Sequence, residues 1–279
     1  MKNERLGFIG VGQMGKSMAV NLKKAGYDVH IFDVNEMAMQ EIQEYGIVTC
    51  YSCKDVALAV DNAIIIMVRD DKQVKNVIWG EEGLASSGKQ GLGLIVTSTI
   101  GLSSARELGR DAVDAGFRMI NAPVSGAPHG AEQGTLTFMV SGDEDLYAKC
   151  KPIFEAMGKK IFYFGTKQET AQAVKLANNL IYGINVIALI EGFHFAQSMG
   201  ISDKAFKEVL LVSTGNSWVA QNREWIKAVW EEEDRPESQI IWDIMAKDLR
   251  AVINESNIPL PLTALATQFW LSKKLKKEH

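Results

Sequence analysis

The stretch Leu6-Gly7-Phe8-Ile9-Gly10-Val11-Gly12-Gln13-Met14-Gly15 decides the fold. Leu6 to Gly10 is an apolar run of strand length, and Gly10-x-Gly12-x-x-Gly15 leads from it into a helix-like run ending near Ala25. Tyr27 to Phe32 reads as a second strand, and Asp33 ends it. Alone, G-x-G-x-x-G is weak, but between a strand and a helix, with an acid after the next strand, it specifies a dinucleotide-binding turn. The first glycine permits the tight turn, the second admits a pyrophosphate close to the backbone, and the third lets helix pack on strand. The helix N-terminus then offers free N–H groups and the positive end of its dipole to phosphates.

Asp33 speaks to which dinucleotide is bound. A carboxylate at the end of the second strand accepts hydrogen bonds from both hydroxyls of an adenosine ribose and repels a 2′-phosphate. Val34, Asn35 and Glu36 follow, with no basic residue where NADP sites place an arginine. The cofactor expected is therefore NAD, with NADP the alternative, held by Gly10, Gly12, Gln13, Met14, Gly15, Asp33, Val34 and Asn35.

The α/β pattern continues outward from this turn. Ile47–Thr49 is a short strand and Ala63–Val68 a continuous apolar one, as inside a parallel sheet. Its end, with Met67 and Val68, is placed along the cofactor edge. Leu92–Thr97 is the next strand and runs into Ser98 and Thr99, before a helix from about Ser104 to Ala115. Ligands bind at the C-terminal ends of strands in open sheets, so Ser98 and Thr99 are candidate neighbours of the nicotinamide, or simply helix caps. After a strand over Phe117–Ile120, Asn121 to Ala131 reads as a turn-rich loop. Its Ser125 hydroxyl and the backbone N–H groups around Gly126 suit a carboxylate. Strands over Thr135–Val140 and Ile161–Phe164 flank a helix over Asp143–Met157.

From about Gln168 to Met199 one long helix is expected, with Ala171, Val174, Ala177, Ile181, Ile184 and Ala188 recurring at steps of three and four. Lys175 and Asn179 stand four apart on it and share a face. Later segments near Asp203–Val212, Trp218–Trp230, Ile240–Ser256 and Leu262–Lys276 are also helical in period. The reading is thus a Rossmann-type α/β domain over residues 1–164 and an all-helical domain over 165–279, joined by the long helix. The five tryptophans from Trp218 to Trp270 are read as core and subunit-interface aromatics.

Bulk properties exclude other classes. A formal net charge of −4 over 279 residues does not suit a nucleic-acid scaffold, and Lys273, Lys274, Lys276 and Lys277 read as a solvated basic tail. Cys50 and Cys53 form one C-x-x-C with no second pair and no nearby histidine, so two free thiols are expected and no metal. The chain enters its first strand with no signal-peptide pattern. Polar Asn178, Asn179, Asn185 and Glu191 interrupt the long helix, which argues against a membrane span. A soluble protein of the cytoplasm is expected, with no nucleic-acid or membrane partner.

A nicotinamide site implies hydride transfer, with the protein supplying orientation and proton handling. Lys175 is the candidate proton acceptor, since partial burial and a nearby positive nicotinamide both favour a neutral lysine. Asn179 would hold a substrate hydroxyl or carboxylate. Lys247 and Asp248 form a further pair that either caps the cleft or is an ordinary ion-paired helix face. His129 and His194 are weaker proton carriers, because nothing in the sequence orients them. Arg118, Arg223 and Trp218 are candidates for the distal part of a substrate.

These motifs resemble those of the β-hydroxyacid dehydrogenase family, typified by 3-hydroxyisobutyrate dehydrogenase and related to 6-phosphogluconate dehydrogenase. GFIGVGQMGKSMAVNLKKAGYDV resembles its dinucleotide signature, NAPVSGAPHGAEQGTLTFMVSG its substrate segment, KLANN its catalytic helix and MAKDL its C-terminal lysine motif. The resemblance covers most of the chain in the correct order. It implies Lys175 as the catalytic lysine, Ser125, Gly126, Ala127 and Asn179 about the substrate carboxylate, Lys247 near nicotinamide and substrate, and a homo-oligomer, often a dimer or tetramer. In the related imine reductases the lysine is replaced, so its presence favours alcohol/aldehyde chemistry. The sequence departs from the pattern at Asn121, usually Asp; at Ala127 and Ala171, usually Gly; at Val96, usually an acid; and at Arg69, usually Pro. It also stops soon after Leu275, without the family's glycine-rich final segment. The expected activity is reversible, NAD-preferring oxidation of a small β-hydroxyacid to its semialdehyde. An NADPH-linked reductase of glyoxylate or succinic semialdehyde, or a non-catalytic nucleotide-sensing module, are the alternatives.

Overall fold

The computed structural model describes residues 4–231 and 236–275. Lys276 and Lys277 of the basic tail, and the side chains of Lys273 and Lys274, lie outside the described residues. The chain divides into two compact units, residues 1–175 and 176–279.

The first unit is built on alternating strands and helices. In order these are β1 (Arg5–Ile9), α1 (Gln13–Lys24), β2 (Asp28–Phe32), α2 (Glu36–Gln43), β3 (Val48–Thr49) and α3 (Cys53–Ala59). There follow β4 (Ala63–Ile66), α4 (Asp71–Trp79), β5 (Gly93–Val96), α5 (Leu102–Asp114) and β6 (Arg118–Asn121). β7 (Val124–Ser125), α6 (Ala127–Glu132), β8 (Leu136–Gly142), α7 (Glu144–Met157) and β9 (Gly158–Tyr163) complete it. The sheet order is β3-β2-β1-β4-β5-β6-β8-β7, with β9 beside β8. From β3 to β6 every pairing is parallel, and β8 then runs antiparallel to β6. The order reverses between β1 and β4, the switch point at which open α/β sheets take their ligands.

Strand alternation feeds two cores, one on each face of the sheet. Phe8, Ile31, Ile65, Ile95 and Ile120 belong to one. Their neighbours Ile9, Ile64, Ile66, Leu94, Val96 and Met119 belong to the other. A strand with helices on both faces has no polar side, which is why β4 is the unbroken apolar run Ala-Ile-Ile-Ile, buried throughout.

The region from Asn121 to Ala131 is more ordered than the loop its sequence suggests. Asn121 is the last residue of β6, Val124 and Ser125 pair with Phe138 and Thr137, and α6 begins at Ala127. Pro123, Pro128 and the small residues between Ala122 and Ala131 disguised two short elements as a connection. Ala127 opens α6 with φ of 56°, the only positive-φ residue other than glycine among the described residues.

The helix α8 (Thr170–Ser198) is 29 residues long and starts within the first unit. The long helix is as expected, and its buried face is not simply the stripe of recurring apolar residues. Ala177, Ile181 and Ala188 are exposed, whereas Ala171, Gln172, Lys175, Leu176, Asn179, Gly183 and Val186 are buried. A helix apolar nearly all round does not reveal its inner face by periodicity, and here the inner face carries the polar residues. By length and composition α8 could cross a membrane, but that test also passes helices of soluble proteins.

The second unit continues with α9 (Asp203–Val212), α10 (Trp218–Gln221), α11 (Arg223–Glu231), α12 (Pro236–Glu255) and α13 (Pro261–Leu275). Asn222 breaks the single helix expected over Trp218–Trp230 into α10 and α11. The core gathers Val186, Ile226, Trp242, Met245, Leu249 and Trp270. Trp270 donates its indole N–H to the Gly183 carbonyl at 3.2 Å. A methyl at Gly183 would lie 2.9 Å from Met245 and 3.3 Å from Leu249, so the small residue lets α12 pack closely there. Trp242 and Trp270 are core residues as expected, while Trp218 is half exposed.

Candidate active site

The glycines between β1 and α1 have separable duties. Gly10 has φ of +91°, and a Cβ there would sit 2.1 Å from the Met67 carbonyl oxygen. A Cβ on Gly15 would sit 1.9 Å from the Gly10 carbonyl oxygen, so α1 can start beneath the turn only without a side chain. Gly12 is different: a Cβ there meets nothing within 4 Å. The space above Gly12 is open, as a cradle for a pyrophosphate must be. Val11 donates its N–H to Asp33 Oδ2 at 2.7 Å, and Asn35 donates its N–H to Oδ1 at 2.8 Å. The carboxylate thus clips the glycine turn to the end of β2, and each oxygen retains a lone pair for a ribose hydroxyl. Asn35 also caps α2 through its side chain, accepting from Met37 and Ala38. These residues fit a nicotinamide dinucleotide.

At the C-terminal edge of β4 and β5, Ser98 Oγ accepts the Val68 N–H at 2.9 Å, and Thr97 Oγ1 donates to the Ile66 carbonyl at 2.9 Å. Met67, Val68, Ser98 and Thr99 therefore form one edge, held by side-chain bonds that cross between strands. Ser98 does not cap α5, whose N-cap is Gly101. Lys175, on α8, is 9% exposed. Ser125 and Ala127 are half-buried, and Gly126 is exposed with φ of 141°.

The residues that hold the start of α8 escaped the sequence reading. Gln172 is fully buried; its Nε2 donates to the Ser98 carbonyl and to Asn121 Oδ1, each at 3.0 Å. Its Oε1 accepts the Ile100 N–H at 3.1 Å. Asn121 Nδ2 donates to Gln168 Oε1 at 3.0 Å, and Gln168 Nε2 donates to the Met119 carbonyl at 2.8 Å. Ser141 Oγ donates to the Gln168 carbonyl and accepts the Ala171 N–H. Buried polar groups are kept only when paired, and here nearly every donor and acceptor has a partner. An aspartate at 121 could not donate to Gln168, so the amide at this position matches the network it serves.

Within the second unit Asn179 donates to Asp248 Oδ2 at 2.6 Å, and Lys247 pairs with Asp248 Oδ1 at 2.8 Å. One buried carboxylate orients both. Lys247 and Asp248 are therefore an ion pair, and Asp248 reaches Asn179 as well, which helix spacing alone could not reveal.

Other candidates are tied elsewhere. Arg118 pairs with Asp143 at the start of β6, the opposite end of the strand from Asn121. Burial alone would raise the Asp143 carboxyl, but the Arg118 guanidinium and the Leu146 N–H outweigh it and hold the carboxyl below its ordinary value. Arg223 pairs with Asp203 and lies over the Phe193 ring at 3.9 Å. His129 and His194 are exposed. Burial pushes the Cys53 thiol up to about 12 and raises Cys50 as well. Both raised values favour the protonated thiol at neutral pH; no group of three metal-ligating side chains occurs among the described residues.

Comparison with known proteins agrees with this geometry. Residues 5–165 match the family described as the NAD binding domain of 6-phosphogluconate dehydrogenase. Residues 170–279 match the NAD-binding domain of NADP-dependent 3-hydroxyisobutyrate dehydrogenase. The chain is 33% identical to 2-(hydroxymethyl)glutarate dehydrogenase of Eubacterium barkeri, over 96% of this chain and 89% of that protein. It is 32% identical to NAD-dependent L-serine dehydrogenase of Pseudomonas aeruginosa, over 97% and 93%. Among solved structures, 3-hydroxyisobutyrate dehydrogenase of Salmonella typhimurium superposes with a TM-score of 0.87 at 29% identity, covering 99% of this chain and 95% of that one. The glycine turn, the open sheet edge and the all-helical second unit are thus those of the β-hydroxyacid dehydrogenases, and the chain belongs to that family of NAD(P)-dependent oxidoreductases.

Proposed function

We propose that this enzyme is an NAD-preferring dehydrogenase that reversibly oxidises a small, 3-hydroxyisobutyrate-like β-hydroxyacid to its semialdehyde, with Lys175 as general acid and base. The observation that carries the reading is the burial of Lys175 on the inner face of α8, in the same turn as a side chain bonded to Ser98. Solvent-facing helix lysines are the rule, and a lysine turned inward beside a cofactor edge is placed for proton transfer.

When bound, the nicotinamide supplies the hydride acceptor. Lys175 Nζ takes the hydroxyl proton as the carbinol C–H bond breaks and the C=O bond forms, and returns it in the reverse direction. Ser125 Oγ and the backbone N–H groups at Gly126 and Ala127 hold the acid end, with Asn179 and Lys247 as further contacts for it. With its Nδ2 on Asp248, Asn179 turns to Asn178 its Oδ1, which accepts from Asn178 Nδ2 at 3.3 Å and keeps a second lone pair for a substrate hydroxyl.

Asp33 supports NAD over NADP: a 2′-phosphate would bring a dianion against a carboxylate with no arginine or lysine at 34–36 to offset it. The NADPH-linked reductase of a small semialdehyde is the rival, and kcat/KM with the two cofactors separates them. We also infer a homo-oligomer, working in the cytoplasm. Ile181 and Phe195 on α8, Met199 just beyond its end, and Leu262 and Leu265 on α13 are each more than half exposed, as a subunit interface would use them.

The test is Lys175→Ala, assayed over a panel of β-hydroxyacids and semialdehydes with both cofactors. Turnover should fall at least about 1000-fold, within reach of a lost general base, while NAD affinity stays within a few-fold. Turnover retained in this variant would sink the mechanism, and an inactive wild type across the whole panel would revive the nucleotide-sensing alternative.

A further inference from the structure

We infer that Gln172 is a positioning residue that sets the distance between the nicotinamide edge of the site and Lys175. The inference rests on the function proposed above. Three facts carry it. Gln172 precedes Lys175 by three residues on α8, so the two side chains are neighbours on one helix face. Its amide grips the turn after β5 from both sides of Thr99, donating to the Ser98 carbonyl and accepting the Ile100 N–H. Ser98 in turn holds the Val68 N–H, so one continuous chain of bonds runs from β4 through β5 to the lysine's helical turn.

The side chain is used completely. A primary amide offers two donor hydrogens and an acceptor oxygen, and Gln172 places them on Ser98, Asn121 and Ile100. No other residue type offers this set at this length: glutamate lacks the donors, asparagine is one methylene short, and methionine or leucine fills the volume but bonds nothing. The bonds lock χ angles that would otherwise be free, and they fix the first turns of α8, up to Lys175, in rotation about the helix axis as well as in height above the sheet. A rotation of one residue's worth, about 100°, would carry Lys175 away from the edge altogether. Asn121 and Gln168 complete the mount, since Asn121 is held at the correct tilt by its own donation to Gln168.

A group that only positions a base should affect the chemical step rather than cofactor binding. Gln172→Glu and Gln172→Met keep the volume and should fold. With either, kcat should fall 30-fold or more, NAD affinity should stay within threefold, and the primary deuterium isotope effect on kcat, measured with substrate labelled at the carbinol carbon, should rise. A readout without turnover is the pH dependence of Lys175 labelling by an amine-directed reagent, followed by peptide mass spectrometry, with its reactivity shifting in both variants. Wild-type kcat in either folded variant, or a loss explained wholly by a smaller folded fraction, overturns the inference. If the wild type shows no turnover on any acid, the proposed function fails, yet unchanged Lys175 labelling in the variants would still refute the positioning role by itself.

Discussion

Gly12→Ala and Gly15→Ala should fail in opposite ways, and the difference can be worked from the turn itself. The Gly15 Cβ would lie 1.9 Å from the Gly10 carbonyl oxygen and 3.1 Å from Phe8. Backbone on both sides must move, at a cost of about 3 kcal/mol, the upper range for overpacking. For a domain of this size that lowers Tm by about 6–12 °C. The Gly12 Cβ meets no protein atom within 4 Å, and φ −63°, ψ −165° is open to alanine. Its variant should melt with the wild type or slightly above it, since removing a glycine also stiffens the unfolded chain by about 0.5 kcal/mol. The methyl instead occupies the pyrophosphate's approach. Losing one or two charge-assisted N–H bonds to phosphate, about 3 kcal/mol, weakens NAD binding roughly 100-fold. Melting of the cofactor-free proteins by circular dichroism and NAD titration by calorimetry read the two effects separately. The reasoning is wrong if Gly12→Ala destabilises as much as Gly15→Ala, or binds NAD as the wild type does.

Two further substitutions test strain and charge. Ala127→Gly should raise stability by about 0.5 kcal/mol, the roughly 1–2 kcal/mol of left-handed strain relieved, less the entropy a glycine adds to the unfolded chain; a lower Tm would contradict the strained geometry. Asp143 is held below its ordinary value, so its contribution is present above about pH 4 and lost as pH falls through the lowered value. Asp143→Asn should therefore lower Tm at pH 7, modestly because the pair is about one-third exposed, and the gap between the two proteins should narrow as pH falls through the lowered value of Asp143. A gap that did not narrow as pH falls from 7 into the acid range would refute the contribution of the pair.

The parallel half of the sheet was legible because its signals are local. Alternating apolar residues feed two faces of one strand, and Gly10, Gly12 and Gly15 mark a turn that other residues cannot make. Asp33 was legible for the same reason, lying one strand from the turn it clips. Gln172 was not legible, because its partners Ser98, Asn121 and Ile100 are 51 to 74 residues away along the chain. Asp248 carried no signal toward Asn179 for the same reason, 69 residues separating them. Apolar periodicity marked α8 as a helix but not its inner face, because this face is buried for its polar groups. Ala171, which stood out as a departure from the family pattern, gives its N–H to Ser141 and packs its methyl fully inside.

The mount of Lys175 is made of three carboxamides and a hydroxyl: Asn121, Gln168, Gln172 and Ser141. None of these gains or loses a proton at any pH at which the protein stays folded. Acid or base can therefore change the charge of the lysine or of the substrate without loosening what holds the lysine in place. A titration of the rate should read the reacting groups alone, with no component from the scaffold beneath them. A carboxylate at position 121 would add such a component, and the amide there keeps the support silent.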